Sequence, residues 1–524
     1  MRLITLSLAL SFSFPATAFA SEPPQEAERW GVWEWSLTGP TNGTPDRDVT
    51  LTAHFRQGTT TLPVAGFYEG EGVYRLRFMP PTLGEWTCVT TSNQPELNGR
   101  KARLISIAPS PANHGPVRVR DTFHFAYSDG TPHHSIGTTC YAWTHQDETL
   151  QQQTLRTLAA SPFNKLRMCV FPKNYAFNAT EPPRYPFLGS PGKWDTSRFN
   201  PEFFQVLEQR VRDLLERGIE ADLILFHPYD KGRWGFDRMT PAEDERYLRH
   251  LVARLGAFRN VWWSMANEFD FMERKTDADW DRLCQIVAEA DPYDHLLSIH
   301  NGLRIYNHNQ PWITHASIQN GSALAEHGRG VLYRDVYRKP IVFDEVKYEG
   351  NIEQRWGNIS AEELVHRFWI GTIEGTYVGH GETLRHPENI LWWAKGGELH
   401  GDSPARIAFL RQVIESNPCQ GIEPIDKWQE SRMGGRPGRF AIVYLGRESP
   451  SEWTVSVPLA FSKKKVTVKA EIIDAWGMTI SPVEGSFELQ PTSTYKLTCP
   501  SRPSIPLPGR PMQAIRLVAL SEGS

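Results

Sequence analysis

The sequence predicts an α/β protein, a (β/α)8 TIM barrel flanked by N-terminal and C-terminal β-sandwich domains. Three observations lead there. Through residues 111–418, short apolar runs alternate with segments of helical period, the grammar of a barrel of parallel strands. On either side the pattern changes to short runs with apolar residues at every second position. No G-x-G-x-x-G or P-loop follows any apolar run, which weakens an open nucleotide-binding sheet. A chain of 524 residues also exceeds what one core normally sustains, so several domains are expected.

Taken in order, residues 1–20 read as a cleavable leader: Arg2, an apolar run from Leu3 to Phe14, then Ala18-Phe19-Ala20. The mature chain would start near Ser21 with no cysteine at the cut. No later stretch is apolar for the roughly 18 residues a membrane span requires. The expectation is an exported protein, periplasmic or extracellular, without a membrane span. Residues 21–110 predict the first sandwich: Val49, Leu51, Ala53 and Phe55 alternate, and Tyr74, Leu76 and Phe78 repeat the pattern after the turn at Gly70 to Gly72. Pro109 to Pro111 read as a linker.

Within the barrel region, Asn200 caps a helix with Pro201 at its first position, and Gly218 ends it before the run Ala221 to Phe226. Thr240 and Glu243 form a capping box for the next helix, Gly256 ends it, and Val261 to Met265 follows. Further runs at Ser135 to Thr139, Lys165 to Phe171, His295 to Ile299, Thr314 to Ile318, Pro340 to Phe343 and Gly375 to Val378 complete eight strands. Residues 419–500 return to strand patterns at Trp453 to Leu459, Val466 to Ile473 and Ser486 to Leu489, a second sandwich. The Pro-rich segment 501–524 reads as a loosely packed strap.

A net charge of -4 offers no basic footprint for nucleic acid. The aromatic load, 18 Trp, 16 Tyr and 26 Phe, provides cores and also flat platforms on which sugar rings stack. Six widely spaced cysteines contain no C-x-x-C pair, which argues against a zinc or redox motif; export permits disulfides, but Cys140 and Cys169 lie in apolar runs that suit buried thiols equally well.

Active residues of such barrels lie at the C-terminal ends of strands. Here the run ends are polar and aromatic. Tyr141 and Trp143 follow the first, Lys173 and Tyr175 the second, and His227 and Tyr229 the third. Asn267-Glu268 end the fourth, His300-Asn301 the fifth, Gln319-Asn320 the sixth, Asp344-Glu345 the seventh and His380-Gly381-Glu382 the eighth, with Trp392 and Trp393 arriving later. Cleavage of a glycosidic bond with retention requires two carboxyl groups about 5 Å apart. Glu268 as general acid/base and Glu345 as nucleophile, facing each other across the barrel mouth, would form that pair, with Asp344 and Glu349 as rivals of Glu345. Candidate substrate contacts are Asn267, Arg167, Tyr141, Trp143, Tyr175, His227, Tyr229, His300, Asn301, Gln319, His380, Glu382 and Trp392, with a carbohydrate as partner and neither metal nor cofactor.

The Asn-Glu ending of the fourth strand with a glutamate ending the seventh resembles the clan of retaining (β/α)8 glycosidases. More narrowly, the chain resembles a bacterial family of glycoside hydrolases, distantly similar to apiosidase-like enzymes, with an immunoglobulin-like N-terminal domain. The motifs are GTTCYAWTHQ (137–146), LRMCVFPK (166–173), FHPYD (226–230), NVWWSMANE (260–268), DEVKYEGNI (344–352), HGET (380–383) and, in the C-terminal region, DAWGMTI (474–480). The resemblance implies a hydrogen bond from Asn267 to a sugar 2-hydroxyl and an Arg167 that holds Glu345 ionised. One departure is His380 and Glu382 where the clan often ends the eighth strand with an aromatic residue.

Two main rival functions remain, with a polysaccharide lyase, recognisable by an unsaturated product absorbing in the ultraviolet, as a weaker third. A metal-dependent hydrolase would draw on His133, His134, His145, His227 and His300, although no H-E-x-x-H is present. A non-catalytic carbohydrate-binding protein would use the aromatic platforms but needs no matched glutamates.

Overall fold

The structure, a computed structural model, describes residues 25–319, 324–388 and 390–520. The predicted leader lies outside the described residues. Eight parallel strands make the central barrel: β1 (Gly137–Thr139), β2 (Lys165–Cys169), β3 (Glu220–Phe226), β4 (Val261–Ala266), β5 (Leu297–Ser298), β6 (Ala316–Gln319), β7 (Ile341–Glu345) and β8 (Tyr377–His380). Each pairs with its sequence neighbour except at two places: β8 pairs with β1, and β5 meets β6 through a single bridge, His300 with Ser317, which closes the ring. All eight lie where the apolar runs predicted them.

The local grammar accounts for the connecting helices. Asn200 Oδ1 accepts the Glu202 N–H at 3.2 Å at the start of helix Pro201–Glu216, and Gly218, at φ 66°, adopts the left-handed conformation that ends it. Helix Pro241–Leu255 starts from the complete Thr240–Glu243 capping box. The apolar faces of both helices pack on the strands, with Leu207, Val211, Leu214, Leu248 and Leu251 all buried.

The barrel interior is charged. Lys165 Nζ bonds Asp222 at 2.9 Å and Asp344 at 2.7 Å, and Arg167 lies beside the same two carboxylates, all four about 1–3 % exposed. Such charges persist out of water only as a balanced set, here two cations and two anions.

Two sheets with outer edges Gln25–Glu28 to Thr60–Ala65 and Trp33–Thr38 to Phe67–Gly70 face each other before the barrel, their shared core built on Trp33, Phe55, Phe78 and Trp86. A buried ion network joins this unit to the barrel helices, with Arg77 on Glu208 at 2.7 Å and Arg254 on Glu69 at 3.0 Å. The C-terminal region is β-sandwich-like, and here the strap expectation is corrected. Gln513–Ala519 is a central strand, paired with Phe440–Tyr444 on one side and Val466–Asp474 on the other. Its Ala514, Ile515 and Leu517 are buried, and within the proline-rich approach before it Ser504–Pro506 also forms a strand, paired with Glu452–Thr454 and with Ile505 buried. All six cysteines are free thiols, five of them buried.

Candidate active site

At the C-terminal mouth of the barrel a cleft of about 610 Å³ is lined by Tyr141, Lys173, Tyr175, Tyr229, Asn267, Glu268, Gln319, Glu345, Tyr348, Trp356 and Trp393, among others. It lies at the strand ends that the sequence singled out. Glu268 follows β4 in a left-handed conformation, φ 49° and ψ 53°, which costs a non-glycine residue of order 1–3 kcal/mol and is retained where the surroundings fix it. Glu345 ends β7, and the β6–β7 register slips between Ser317 and Gln319, leaving Gln319 paired with Glu345.

The two rivals of Glu345 are occupied elsewhere. Asp344 points into the barrel, held by Lys165 and by the Ser317 hydroxyl. Glu349 accepts the backbone N–H groups of Asp402 at 2.8 Å and Ser403 at 3.1 Å.

Glu345 is surrounded by donors. Tyr141 Oη donates to its Oε1, Arg167 Nη1 lies 3.5 Å away and His300 Nε2 3.6 Å away. Burial alone would raise its pKa. The facing His300, then Arg167 and the Tyr141 hydroxyl, overcome burial and bring it down to about 2. Glu268, only 7 % exposed, goes the other way: burial and then the negative charge of Glu345 push it up to about 8, against the pull of Lys173, Gln319 and Arg167. The cleft therefore presents one carboxyl group that keeps its proton near neutrality and one that stays ionised.

Arg167 reaches the site from beneath, 1 % exposed, giving Nη1 to Asn267 Oδ1 at 2.8 Å as well as to Glu345. That contact fixes the amide of Asn267 with its Nδ2 toward Glu268 Oε2, 3.4 Å away. Tyr141, Tyr175, Tyr229, Asn267 and Gln319 all line the cleft as expected.

Several predicted contacts are corrected. Trp143 is fully buried, its Nε1 on Met168 Sδ at 3.1 Å, and belongs to the barrel core. His227 is satisfied internally, with Nε2 on the Phe171 carbonyl at 3.1 Å and Nδ1 accepting the Tyr229 N–H at 3.2 Å. His380 bonds the Thr138 hydroxyl at 2.9 Å and stacks on Phe163. Trp392 also turns inward, its Nε1 on Thr138 Oγ1 at 2.9 Å, while its neighbour Trp393 takes the place in the cleft. Glu382 accepts the N–H groups of His400 and Gly401, both at 2.8 Å, and so fastens a loop. His300 and Asn301 act one layer back. His300 supports Glu345 and is itself oriented by Ser317 at 2.9 Å, and Asn301 clamps the backbone of Gln319 with two bonds of 3.1 Å. Arg167 likewise acts through Asn267 and Glu345, being no part of the cleft wall.

The five histidines proposed for a metal do not converge. Among the described residues one group, Glu349, His380 and Glu382, is close enough to share an ion, and none of the three lines the cleft. Sequence reasoning missed Lys173, Tyr348, Trp356 and Trp393 as cleft residues. Lys173 and Trp393 lay within the strand-end segments already singled out, but a lysine reads as surface and two adjacent tryptophans give no clue which turns inward.

Trp143→Ala is therefore expected to cost about 3–5 kcal/mol of stability, the range for deleting a core aromatic. Tyr229→Ala should instead raise KM more than it lowers kcat, as for a wall that touches substrate in ground and transition states alike. Thermal melts beside steady-state kinetics check the pair; a KM effect with unchanged stability for Trp143→Ala would return that ring to the cleft.

A parallel barrel carrying two opposed strand-end glutamates in an aromatic cleft defines a glycoside hydrolase fold. A family model described as apiosidase-like, catalytic domain, matches residues 120–413, and two domains of unknown function match residues 26–93 and 428–518. The chain belongs to the apiosidase-like family. It is 40 % identical to a Bacteroides vulgatus protein assigned as a glycoside hydrolase, with a TM-score of 0.92 over 95 % of this chain and 100 % of that one. A family 5 glycoside hydrolase from Bacteroides vulgatus shares the fold at 14 % identity, with a TM-score of 0.57 over 79 % of this chain and 95 % of that one. No curated protein matches the chain.

Proposed function

We propose that the protein is an exported retaining glycoside hydrolase that cleaves O-glycosidic bonds of oligo- or polysaccharides by double displacement. The observation that carries this reading is the contrast in surroundings of two strand-end carboxyls in one cleft: Glu345 sits beside the Tyr141 hydroxyl, Arg167 and His300, whereas Glu268 is buried without an ion pair among the described residues, so burial and the charge of Glu345 raise the one and the donors lower the other. A binding module gains nothing from separating two carboxyl groups in this way, whereas an acid and a nucleophile require it.

In the first step Glu345 attacks the anomeric carbon while Glu268 gives its proton to the departing glycosidic oxygen. The bond to the leaving group breaks as the ester to Glu345 forms. As the ester forms, the negative charge of Glu345 disappears, and with it one of the causes that raised Glu268, so Glu268 releases its proton to the leaving oxygen more readily and is left ionised. It then takes a proton from water, which attacks the anomeric carbon and releases Glu345. Tyr141, Arg167 and His300 hold the nucleophile in place, and Asn267, fixed by Arg167, presents its amide to the sugar 2-hydroxyl. Export is supported by the leader-like residues Met1 to Ala20.

The expected pH dependence follows from the two directions. Glu345 must be ionised and Glu268 protonated, so kcat/KM should hold through neutral pH and fall as pH rises through about 8. In Glu268→Ala the basic limb should vanish with an activated aryl glycoside. A basic limb that persists unchanged in that variant would assign the acid to another group.

A further inference from the structure

The cleft contains a buried lysine that none of the proposed steps uses as a proton donor or acceptor; burial lowers the pKa of its amine, against the pull of Cys169, Glu268 and Glu345. Lys173, just beyond β2, is 2 % exposed and its ammonium sits among four rings, 3.6 Å from the centre of Tyr141, 4.1 Å from Tyr229, 4.6 Å from Tyr175 and 5.3 Å from Trp393. All four rings line the cleft with it. Among the described residues Lys173 forms neither a hydrogen bond nor an ion pair through its side chain. Removing an ammonium from water is costly, and ring faces repay about 0.5–2 kcal/mol each at best, so a lysine is rarely buried without an anionic partner. Two more basic side chains line the cleft, the half-buried Lys347 and the exposed Arg355, neither in an ion pair among the described residues. The acidic side chains facing them are the two catalytic glutamates; Glu268 holds a proton, and Glu345 is already served by Arg167, His300 and Tyr141.

We propose that Lys173, with Lys347 and Arg355 at the rim, receives an anionic group on the sugar that Glu345 attacks, so that the enzyme hydrolyses acidic glycosides. The placement is set by Tyr141. Its hydroxyl touches Glu345 and its ring face holds the Lys173 ammonium, so the ammonium stands one tyrosine ring away from the nucleophile, within the span of a single sugar. A carboxylate or a sulfate there would form a charge-assisted pair with a lysine that is itself 2 % exposed, and such a pair is stronger than one in bulk water. This inference rests on the glycosidase reading.

The test compares matched aryl glycosides, uronide against neutral hexoside against sulfated hexoside, in both anomeric configurations, with the parent, Lys173→Met and Lys173→Arg. The parent should favour one acidic form over the neutral one by at least about tenfold in kcat/KM. Lys173→Met should collapse that ratio toward one, and Lys173→Arg, which keeps the charge, should preserve most of it. Preference for the uronide identifies a carboxylate, and preference for the sulfated sugar identifies a sulfate. A parent that prefers neutral glycosides, or a Lys173→Met variant that loses acidic and neutral turnover equally, overturns the inference while leaving the glycosidase reading intact. If the parent turns over nothing, calorimetry with Glu345→Gln and uronate, sulfated and neutral oligosaccharides separates the two: binding of the acidic ones that weakens with salt and with Lys173→Met supports the anion site, and its absence overturns it.

Discussion

Glu345→Gln is expected to lose more than about a thousandfold in turnover while melting within a few degrees of the parent, because the covalent step has no substitute nucleophile. The neighbouring carboxylates cannot take over. Asp344 is locked on Lys165 inside the barrel, and both oxygens of Glu349 are taken by the N–H groups of Asp402 and Ser403. Fold is expected to survive because Glu345 retains side-chain exposure of 13 % and a glutamine fills the same volume against Tyr141. Kinetics on purified variant with a melting curve check it, and near-parental turnover would show that the nucleophile lies elsewhere.

The second large effect belongs to Glu268. Glu268→Ala removes the proton donor, so substrates with poor leaving groups should slow by roughly the hundred- to ten-thousandfold that general acid catalysis supplies, whereas activated aryl glycosides depart without protonation and should suffer far less in the first step. The glycosyl-enzyme would then accumulate, since water has lost its base. Azide enters the space left by the carboxyl group and needs no deprotonation, so it should restore turnover and yield a glycosyl azide with the substrate's own anomeric configuration. Equal losses on both substrate types, without azide rescue, would remove Glu268 from the acid/base role.

Much of this was legible from local pattern. The eight barrel strands follow from buried apolar runs, and the place of Glu268 and Glu345 at the cleft follows from their position where such runs end. Strand-end position, however, does not say whether a side chain faces the cleft or the wall behind it. Trp143 and Trp392 turned into the core and Trp393 into the cleft, because these rings sit on short helical turns after the strands, where successive side chains face different ways and the choice is made by partners such as Met168 and Thr138 distant in sequence. His227 and His380 are satisfied by Phe171 and Thr138, contacts between segments that no spacing reveals. The strand Gln513–Ala519 escaped notice because its proline-rich approach masks an apolar run that completes the sheet beside Val466–Asp474. Lys173 escaped because lysine is ordinarily a surface residue, and only the convergence of four rings marks it otherwise.

In the double displacement we propose, Glu345 attacks carbon and Glu268 transfers protons. Its most direct test is the anomeric configuration of the first sugar released by the parent enzyme, followed by proton NMR before mutarotation. Double displacement predicts a first-formed product with the configuration of the substrate. A first-formed product of inverted configuration would contradict it and would turn Glu345 from nucleophile into the base that activates water.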